Sequence, residues 1–296
     1  MALAAASACA LAAGPYPVNQ CVGTRSGNLG CSANDVTVAQ VEVTNGVTSC
    51  VAGTTVNVGL RLRLQSNASS RYDIGVFVAR DGKPPELTVP AGGSADCAVS
   101  GIPLGPAPLA DLNGNACGDI TRSATPAVVD LGVVSVLCVP DQNGNLRLPT
   151  TVTWEQNANG TCQAPPAAWV EAGAPSKCNA ASDVPVPVSV VGALTIVKVT
   201  EPAAAPGAFA FSATGVAPAA FSLSHGLQQV LTTPPLGAAG TVVSVTEQAL
   251  AGWDPEAAIA CVNADGGPAP FVAIDPAARR VTATFSTANS RATCTF

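Results

Sequence analysis

The chain has 296 residues, enough for about two domains that each bury a core. Only 11% of residues are charged and 4% aromatic, while 28 glycines and 25 prolines punctuate a background rich in Ala, Val and Thr. That composition excludes a mainly helical protein and suits short strands joined by many turns. A net charge of −6 without any Lys/Arg cluster leaves no electrostatic footprint for nucleic acid or an anionic membrane surface.

Residues 1–13 form an unbroken run of small and apolar side chains, with small residues spaced at Ala8/Ala10 and Ala10/Ala12 and Gly14-Pro15 following. This is the pattern of the end of a signal peptide, and residues 1–20 are read as a leader even though no basic residues open it. A variant reading takes Ala6-Ser7-Ala8-Cys9 as a lipoprotein processing site, against which stands Ala6 where a bulky aliphatic residue is expected. No later segment has the roughly 18 apolar residues of a membrane-spanning helix. Of 11 cysteines, Cys9 falls in the leader, and the remainder is an even number suited to oxidising surroundings. Structural zinc is disfavoured, because there is no C-x-x-C and the sole histidine is His225. The early cysteines are Cys21, Cys31, Cys50, Cys97, Cys117, Cys138, Cys162 and Cys178; the late ones, Cys261 and Cys294, have only each other as partners within their segment. Among the early set, Cys97 with Cys117 and Cys162 with Cys178 look like loop staples, although order alone does not establish a connectivity.

From Val36 the pattern has period two. Val36, Val38, Val41 and Val43 lead to an Asn45-Gly46 turn, and Val56, Val58, Leu60, Leu62 and Leu64 then alternate with Arg61, Arg63 and Gln65 on a wet face, as an antiparallel sheet permits. Further strands are expected at residues 72–79, 128–139 and 150–154. Between them lie long loops, 83–118 and 156–177, that carry half of the early cysteines, as expected where disulfides fix what a core does not reach. In Val184-Pro185-Val186-Pro187-Val188 each proline removes a ladder donor, so the segment reads as a stiff linker or an edge strand. Beyond it, strands are expected at 194–199, 208–213, 228–232, 241–246, 257–262, 281–285 and 292–296. So many short strands in roughly a hundred residues describe a small β-sandwich. The chain is therefore read as all-β, with two β-sandwich domains in tandem, immunoglobulin- or prealbumin-like, at 21–190 and 191–296.

Three stretches carry a resemblance for the second domain. They are Leu194-Thr195-Ile196-Val197-Lys198, Pro206-Gly207-Ala208-Phe209-Ala210-Phe211, and Leu236-Gly237-Ala238-Ala239-Gly240 running into the alternating Thr241-Val242-Val243-Ser244-Val245-Thr246-Glu247 and then Gly252-Trp253. On these, residues 193–296 resemble the SpaA-like, prealbumin-like fold domains of bacterial surface proteins. The resemblance implies a Greek-key sandwich serving as a spacer, stalk or adhesive module. It also implies that Lys198 would be the lysine, and Glu247 the assisting acid, of an intramolecular isopeptide bond, with the asparagine expected just beyond Phe296 and Asn289 lying too early. A desolvated lysine loses its proton more easily and a protonated glutamic acid polarises an amide, so the chemistry is reasonable. The reading favoured here is plainer: Lys198 is a strand-edge charge, Glu247 a solvated strand end, and Cys261–Cys294 ties down the last strand. The first domain, on Leu29-Gly30-Cys31-Ser32-Ala33-Asn34-Asp35-Val36, Arg71-Tyr72-Asp73-Ile74-Gly75 and Gly173-Ala174-Pro175-Ser176-Lys177-Cys178, looks like an uncharacterised β domain of secreted bacterial proteins.

Two acidic-amide runs have the alternate oxygens of a calcium loop: Asp111, Asn113 and Asn115 with Asp119, and Asp141, Asn143 and Asn145. Neither has a bidentate glutamate at the twelfth position, and Asn-Gly also makes hairpin turns. No cofactor other than this calcium is expected. The enzyme inventory is poor. His225 sits in the turn-like Ser224-His225-Gly226, no nucleophile elbow, zincin motif or phosphate loop occurs, and nothing in the spacing of a carboxylate pair such as Asp119 with Glu155 shows that the two meet. Aromatic platforms for sugars are limited to Trp154, Trp169, Trp253 and two tyrosines. The expected product is a secreted or cell-surface structural or adhesive β-module without catalytic activity, whose partner is an extracellular protein or glycan surface. The alternative is an extracellular calcium- or carbohydrate-binding module.

Overall fold

The structure, a computed structural model, describes residues 16–18, 21–22, 31–85, 93–102, 105, 107–115, 117–158, 176–181, 184–203, 207–237, 239–254 and 258–296. Of the leader read at 1–20, residues 1–15 and 19–20 lie outside the described residues, as do the lipoprotein variant, Cys162 and Trp169, whereas Tyr16–Val18 form a strand paired with Cys97–Val99. Among the described residues there is no helix, and so none long and apolar enough to cross a membrane. In chain order the strands are β1 (Tyr16–Val18), β2 (Val36–Val43), β3 (Ser49–Val51), β4 (Thr55–Ser66), β5 (Ser70–Ala79), β6 (Cys97–Gly101), β7 (Leu109–Ala110), β8 (Asp119–Thr121), β9 (Ala127–Leu137) and β10 (Thr150–Glu155). They continue as β11 (Lys177–Ala180), β12 (Ser189–Val197), β13 (Phe209–Thr214), β14 (Ala220–Leu223), β15 (Gln228–Pro235), β16 (Thr241–Glu247), β17 (Ala260–Asn263), β18 (Val272–Asp275), β19 (Arg280–Phe285) and β20 (Arg291–Thr295).

Two compact units divide the chain, and they are interleaved in sequence. The first comprises Met1–Gly46, Asn57–Val136 and Leu148–Pro185; the second comprises Val47–Val56, Leu137–Arg147 and Val186–Phe296. The boundary read from the sequence at 190/191 is corrected accordingly: two excursions from the first half of the chain belong to the second unit. The reason is visible at Asn45-Gly46. It does not close a two-residue hairpin, because β2 pairs with β4 antiparallel, Val43 opposite Leu60, and the chain leaves that pair after Gly46 to make β3 before returning.

The first unit is built on a seven-stranded sheet with the central order β1-β6-β5-β10-β11 and a three-stranded sheet of order β2-β4-β9. In β4 the alternation does what the pattern promised, with Val58, Leu60, Leu62 and Leu64 buried. The other face carries a charge ladder, Arg63 to Glu42 at 2.6 Å and Arg61 to Asp130 at 3.2 Å. β5 is covered on both faces, every residue from Asp73 to Ala79 being buried. Strand β6 lies inside the expected 83–118 loop; Cys97-Ala98-Val99-Ser100-Gly101 is buried throughout and does not alternate in polarity, so it carries no period-two signal.

The expected loop staples are also corrected. Cys97 bonds Cys21 and Cys178 bonds Cys31. These bonds join neighbours in the sheet, not in the sequence. Val18 on β1 lies opposite Cys97 on β6, and Ser32 bridges Asn179 beside Cys178. Cys117 is also disulfide-bonded.

The second unit stacks two five-stranded sheets, one with the path β15-β12-β20-β17 plus β3, the other of order β14-β13-β16-β19-β18. Its inner faces follow parity: Leu194 and Ile196 from β12, Phe209 and Phe211 from β13, Val243 and Val245 from β16, Val281, Ala283 and Phe285 from β19, all buried. β12 begins at Ser189, earlier than the expected 194, because its first three residues pair in parallel with β3 (Val190 opposite Cys50). Just before it, Val186 and Val188 are buried while Pro185 and Pro187 are exposed; the proline segment is not a strand, and its Val188 carbonyl accepts the Leu146 N–H. Cys50 on β3 bonds Cys138, which ties the two excursions to one another, and Cys261 bonds Cys294 across the β17–β20 pair.

The second excursion closes in a tight turn at Gly144, whose φ is +83° and whose carbonyl accepts the Val190 N–H. A Cβ there would lie 1.7 Å from the Leu236 carbonyl oxygen. At Gly46 φ is also positive, at +74°, but a Cβ would meet nothing within 4 Å. Gly46→Ala should therefore cost only the left-handed backbone penalty of about 1–2 kcal/mol. Gly144→Ala must also push two backbones apart and should cost at least about twice that. Urea unfolding of both variants checks this, with equal losses as the contradicting result.

Candidate functional site

The parity that fills the second core also places two charges in it. Lys198 continues the inward series Leu194, Ile196; Glu247 continues Val243, Val245; both follow directly from the two-residue period of a strand. The first comes from one sheet and the second from the other. Their side chains meet, Lys198 Nζ to Glu247 Oε1 at 2.7 Å, with the residues 8% and 7% exposed. Glu247 Oε1 is buried and accepts no well-aligned hydrogen bond besides this ion pair. The ammonium also sits 4.2 Å from the centre of the Phe209 ring, within cation–π range. The reading of Lys198 as an edge charge and Glu247 as a solvated strand end is thus overturned. The signal that could have found the pair was the parity itself, since a surface charge on either strand belongs one residue earlier or later.

Beyond the pair opens a cavity of about 270 Å³, lined among others by Phe209, Trp253, Phe296, Leu250 and Arg279 with Glu201 and Asp254. Trp253 packs edge-on to Phe209, ring centres 5.2 Å apart. The strand register fixes the opposite wall. β12 and β20 run parallel with Val197 opposite Thr295, so Phe296 lies beside Lys198, accepting the Val199 N–H at 2.8 Å and donating to the Val197 carbonyl at 2.9 Å. Asn289 lies in the Ser286–Asn289 turn before β20, well away from this register.

The other sequence candidates are distributed elsewhere. His225 is half-buried in its turn, where Nδ1 accepts the Thr200 N–H at 3.0 Å. Trp154 is fully buried in the first unit and offers no sugar platform, which leaves Trp253 as the described tryptophan that faces a cavity. In the first acidic-amide run the oxygens are spent on the loop's own backbone. Asp111 Oδ1 accepts Gly114 N–H, Asn113 Oδ1 accepts Asn115 N–H, and Asn115 Oδ1 accepts Cys117 N–H. Asp119, fully buried, accepts the N–H groups of Asp73 and Leu112 on its two oxygens. In the second run Asp141 Oδ1 accepts from both Asn143 and Asn145. Among the described residues no group of three or more His, Cys, Asp or Glu converges as a metal site.

Burial raises the Asp119 carboxyl above its ordinary 3.8, outweighing the two N–H donors that lower it, with Asp73 and Asp111 adding repulsion. The native state then holds this proton to higher pH than the unfolded chain does. The stability it contributes is complete below about 3.8 and is lost as pH rises through the raised value. Asp119→Asn removes this segment of the pH dependence and also turns an amide N–H toward a backbone N–H, a loss of about 1–3 kcal/mol. Urea unfolding across pH 3–7 checks both, and a wild-type-minus-variant difference independent of pH would contradict the first.

For the ion pair, Lys198→Met leaves a buried carboxylate uncompensated and should cost about 3–5 kcal/mol, whereas Lys198→Met with Glu247→Leu should recover most of it. Additive losses in the double variant would show that the two side chains do not interact.

Residues 194–296 match the family model of the prealbumin-like fold domain of SpaA type, so the second unit carries such a domain within an all-β chain. No curated protein matches the chain. Among solved structures it is similar to the Bacillus anthracis TIE protein, at 15% identity over 90% of this chain and 40% of that one with a TM-score of 0.22. It is similar to the major pilin protein T-13 of Streptococcus pyogenes serotype GAS131465, at 11% identity over 88% and 97% with a TM-score of 0.27. A third is native E. coli alpha-2-macroglobulin, at 13% identity over 74% and 16% with a TM-score of 0.20. The chain thus spans 40% of the length of the B. anthracis protein, and TM-scores this low carry no argument about activity.

Proposed function

We propose that this protein is an extracellular structural β-module, a spacer or stalk that holds its length under tension at a cell surface. The observation that carries the reading is the pairing of β12 with β20. The two strands are parallel from Ala193/Arg291 to Val197/Thr295. Tension applied at the start of β12 and the end of β20 acts along the strands, so the cross-strand hydrogen bonds share the load and do not open one at a time. β20 is also bonded through Cys294 to Cys261 on β17, and a buried ion pair joins the two sheets. The disulfides favour an oxidising compartment outside the cytoplasm, and the prealbumin-like match at 194–296 agrees with a surface role. Under this reading the module has no catalytic activity, and its partners are extracellular proteins or glycans.

Two measurements test this. Intact mass of protein from the exported fraction, with thiols blocked before and after reduction, should show protected cysteines; free thiols on a cytoplasmic chain would overturn the location. In single-molecule stretching between residue 189 and Phe296, the 33-residue separation closed by Cys261–Cys294 should withhold roughly 110–120 Å of contour length that returns on reduction. Gradual extension at low force, with no cooperative unfolding event, would refute the load-bearing role.

A further inference from the structure

The cavity above Lys198 and Glu247 has features a mere packing defect lacks. Packing defects in cores are apolar and dry, whereas this space is floored by an ion pair nine-tenths buried and walled by Phe209, Trp253 and Phe296. Arg279 lines it with a guanidinium that donates no hydrogen bond to, and forms no ion pair with, the described residues. The Arg279 backbone has φ +50°, a conformation side-chain-bearing residues adopt at a cost. Trp253 and Arg279 are each half-buried, with part of their surface still open to a ligand.

We infer that this cavity is a binding site for one neutral pyranose ring of a glycan, held by its hydroxyl groups between Lys198, Glu247 and Arg279 and by an apolar ring face against the aromatic wall. The chemistry follows from the floor. Lys198 Nζ carries donors beyond the one turned to Glu247 Oε1, while the other carboxylate oxygen, Glu247 Oε2, accepts no hydrogen bond from the described residues. One atom that accepts from the first and donates to the second satisfies both, and a hydroxyl is the simplest such group. A carboxylate ligand would meet Glu247, Asp254 and Glu201 and be repelled; an ammonium would meet Lys198 and Arg279. A polyol avoids both penalties and supplies further hydroxyls for the guanidinium. Size agrees, since about 270 Å³ is slightly below the roughly 300–1,000 Å³ of ordinary small-molecule sites and limits the occupant to about one ring. This inference goes beyond the structural role proposed above and does not depend on it.

The test is ligand-observed NMR with the full oxidised chain against methyl α- and β-glycosides of glucose, galactose and mannose, with acetamide as a separate probe for an amide-seeking site. Two variants report on the wall and the guanidinium. Trp253→Ala removes the aromatic face. Arg279→Gly removes the guanidinium while relieving the positive φ, and so keeps the fold. The expected result is saturable binding of at least one glycoside, weakened about tenfold or more in each variant, which is about 1.4 kcal/mol. Failure of every glycoside to saturate overturns the inference, as does binding unchanged in both variants. Saturable binding of acetamide by a chain that ignores all the glycosides overturns it as well and assigns the cavity to an amide.

Discussion

Strand β12 is the constraint on which the second unit depends. One edge of it pairs antiparallel with β15. The other edge is shared end to end by two strands from opposite parts of the sequence, β3 over Ser189–Val191 and β20 over Ala193–Val197, both parallel to it. A three-residue strand such as β3 is marginal by itself. It is held because Cys50 is bonded to Cys138, closing a separation of 88 residues, a loop length at which the chain-entropy model gives about 4–5 kcal/mol. Around that bond the backbone is fully used: Gly53 N–H donates to the Cys138 carbonyl and Cys138 N–H to the Thr54 carbonyl, while Arg291 reaches the Gly53 carbonyl from β20.

The end of the second sandwich near Lys198 is filled by an ion pair and a cavity in place of more hydrocarbon. A buried pair of this kind is weak evidence for stability, because desolvation offsets most of the attraction. Its clearer effect is on register. Lys198 and Glu247 arrive from different sheets, and a one-residue slip of either strand would bury one charge without the other. The pair and the parallel β12–β20 ladder thus specify the same alignment twice.

Much of this was legible in the sequence, and the failures share a cause. The alternation of Val58 to Leu64, and of Val243 to Val245, reads directly as half-buried strands, and the prealbumin-like resemblance over 193–296 rests on such local patterns. What period and composition do not carry is non-local pairing. Cys97 lies 20 positions before Cys117, yet bonds Cys21 across 76, because sheet neighbours are chosen by topology. The Asn45-Gly46 pair has a hairpin's residues without being one, since the chain that follows is claimed by another unit. Strand β6 escaped because burial on both faces erases alternation. Lys198 and Glu247 are legible by parity, against the general tendency of charged residues near strand ends to be wet.

The assignment of Val47–Val56 and Leu137–Arg147 to the second unit is tested most directly by disulfide mapping, by peptide mass spectrometry of the exported protein digested without reduction after thiol blocking. The expected result is a linked peptide joining Cys50 to Cys138, alongside Cys261 joined to Cys294. Cys50 recovered as a blocked thiol, or joined to any other cysteine, would contradict it.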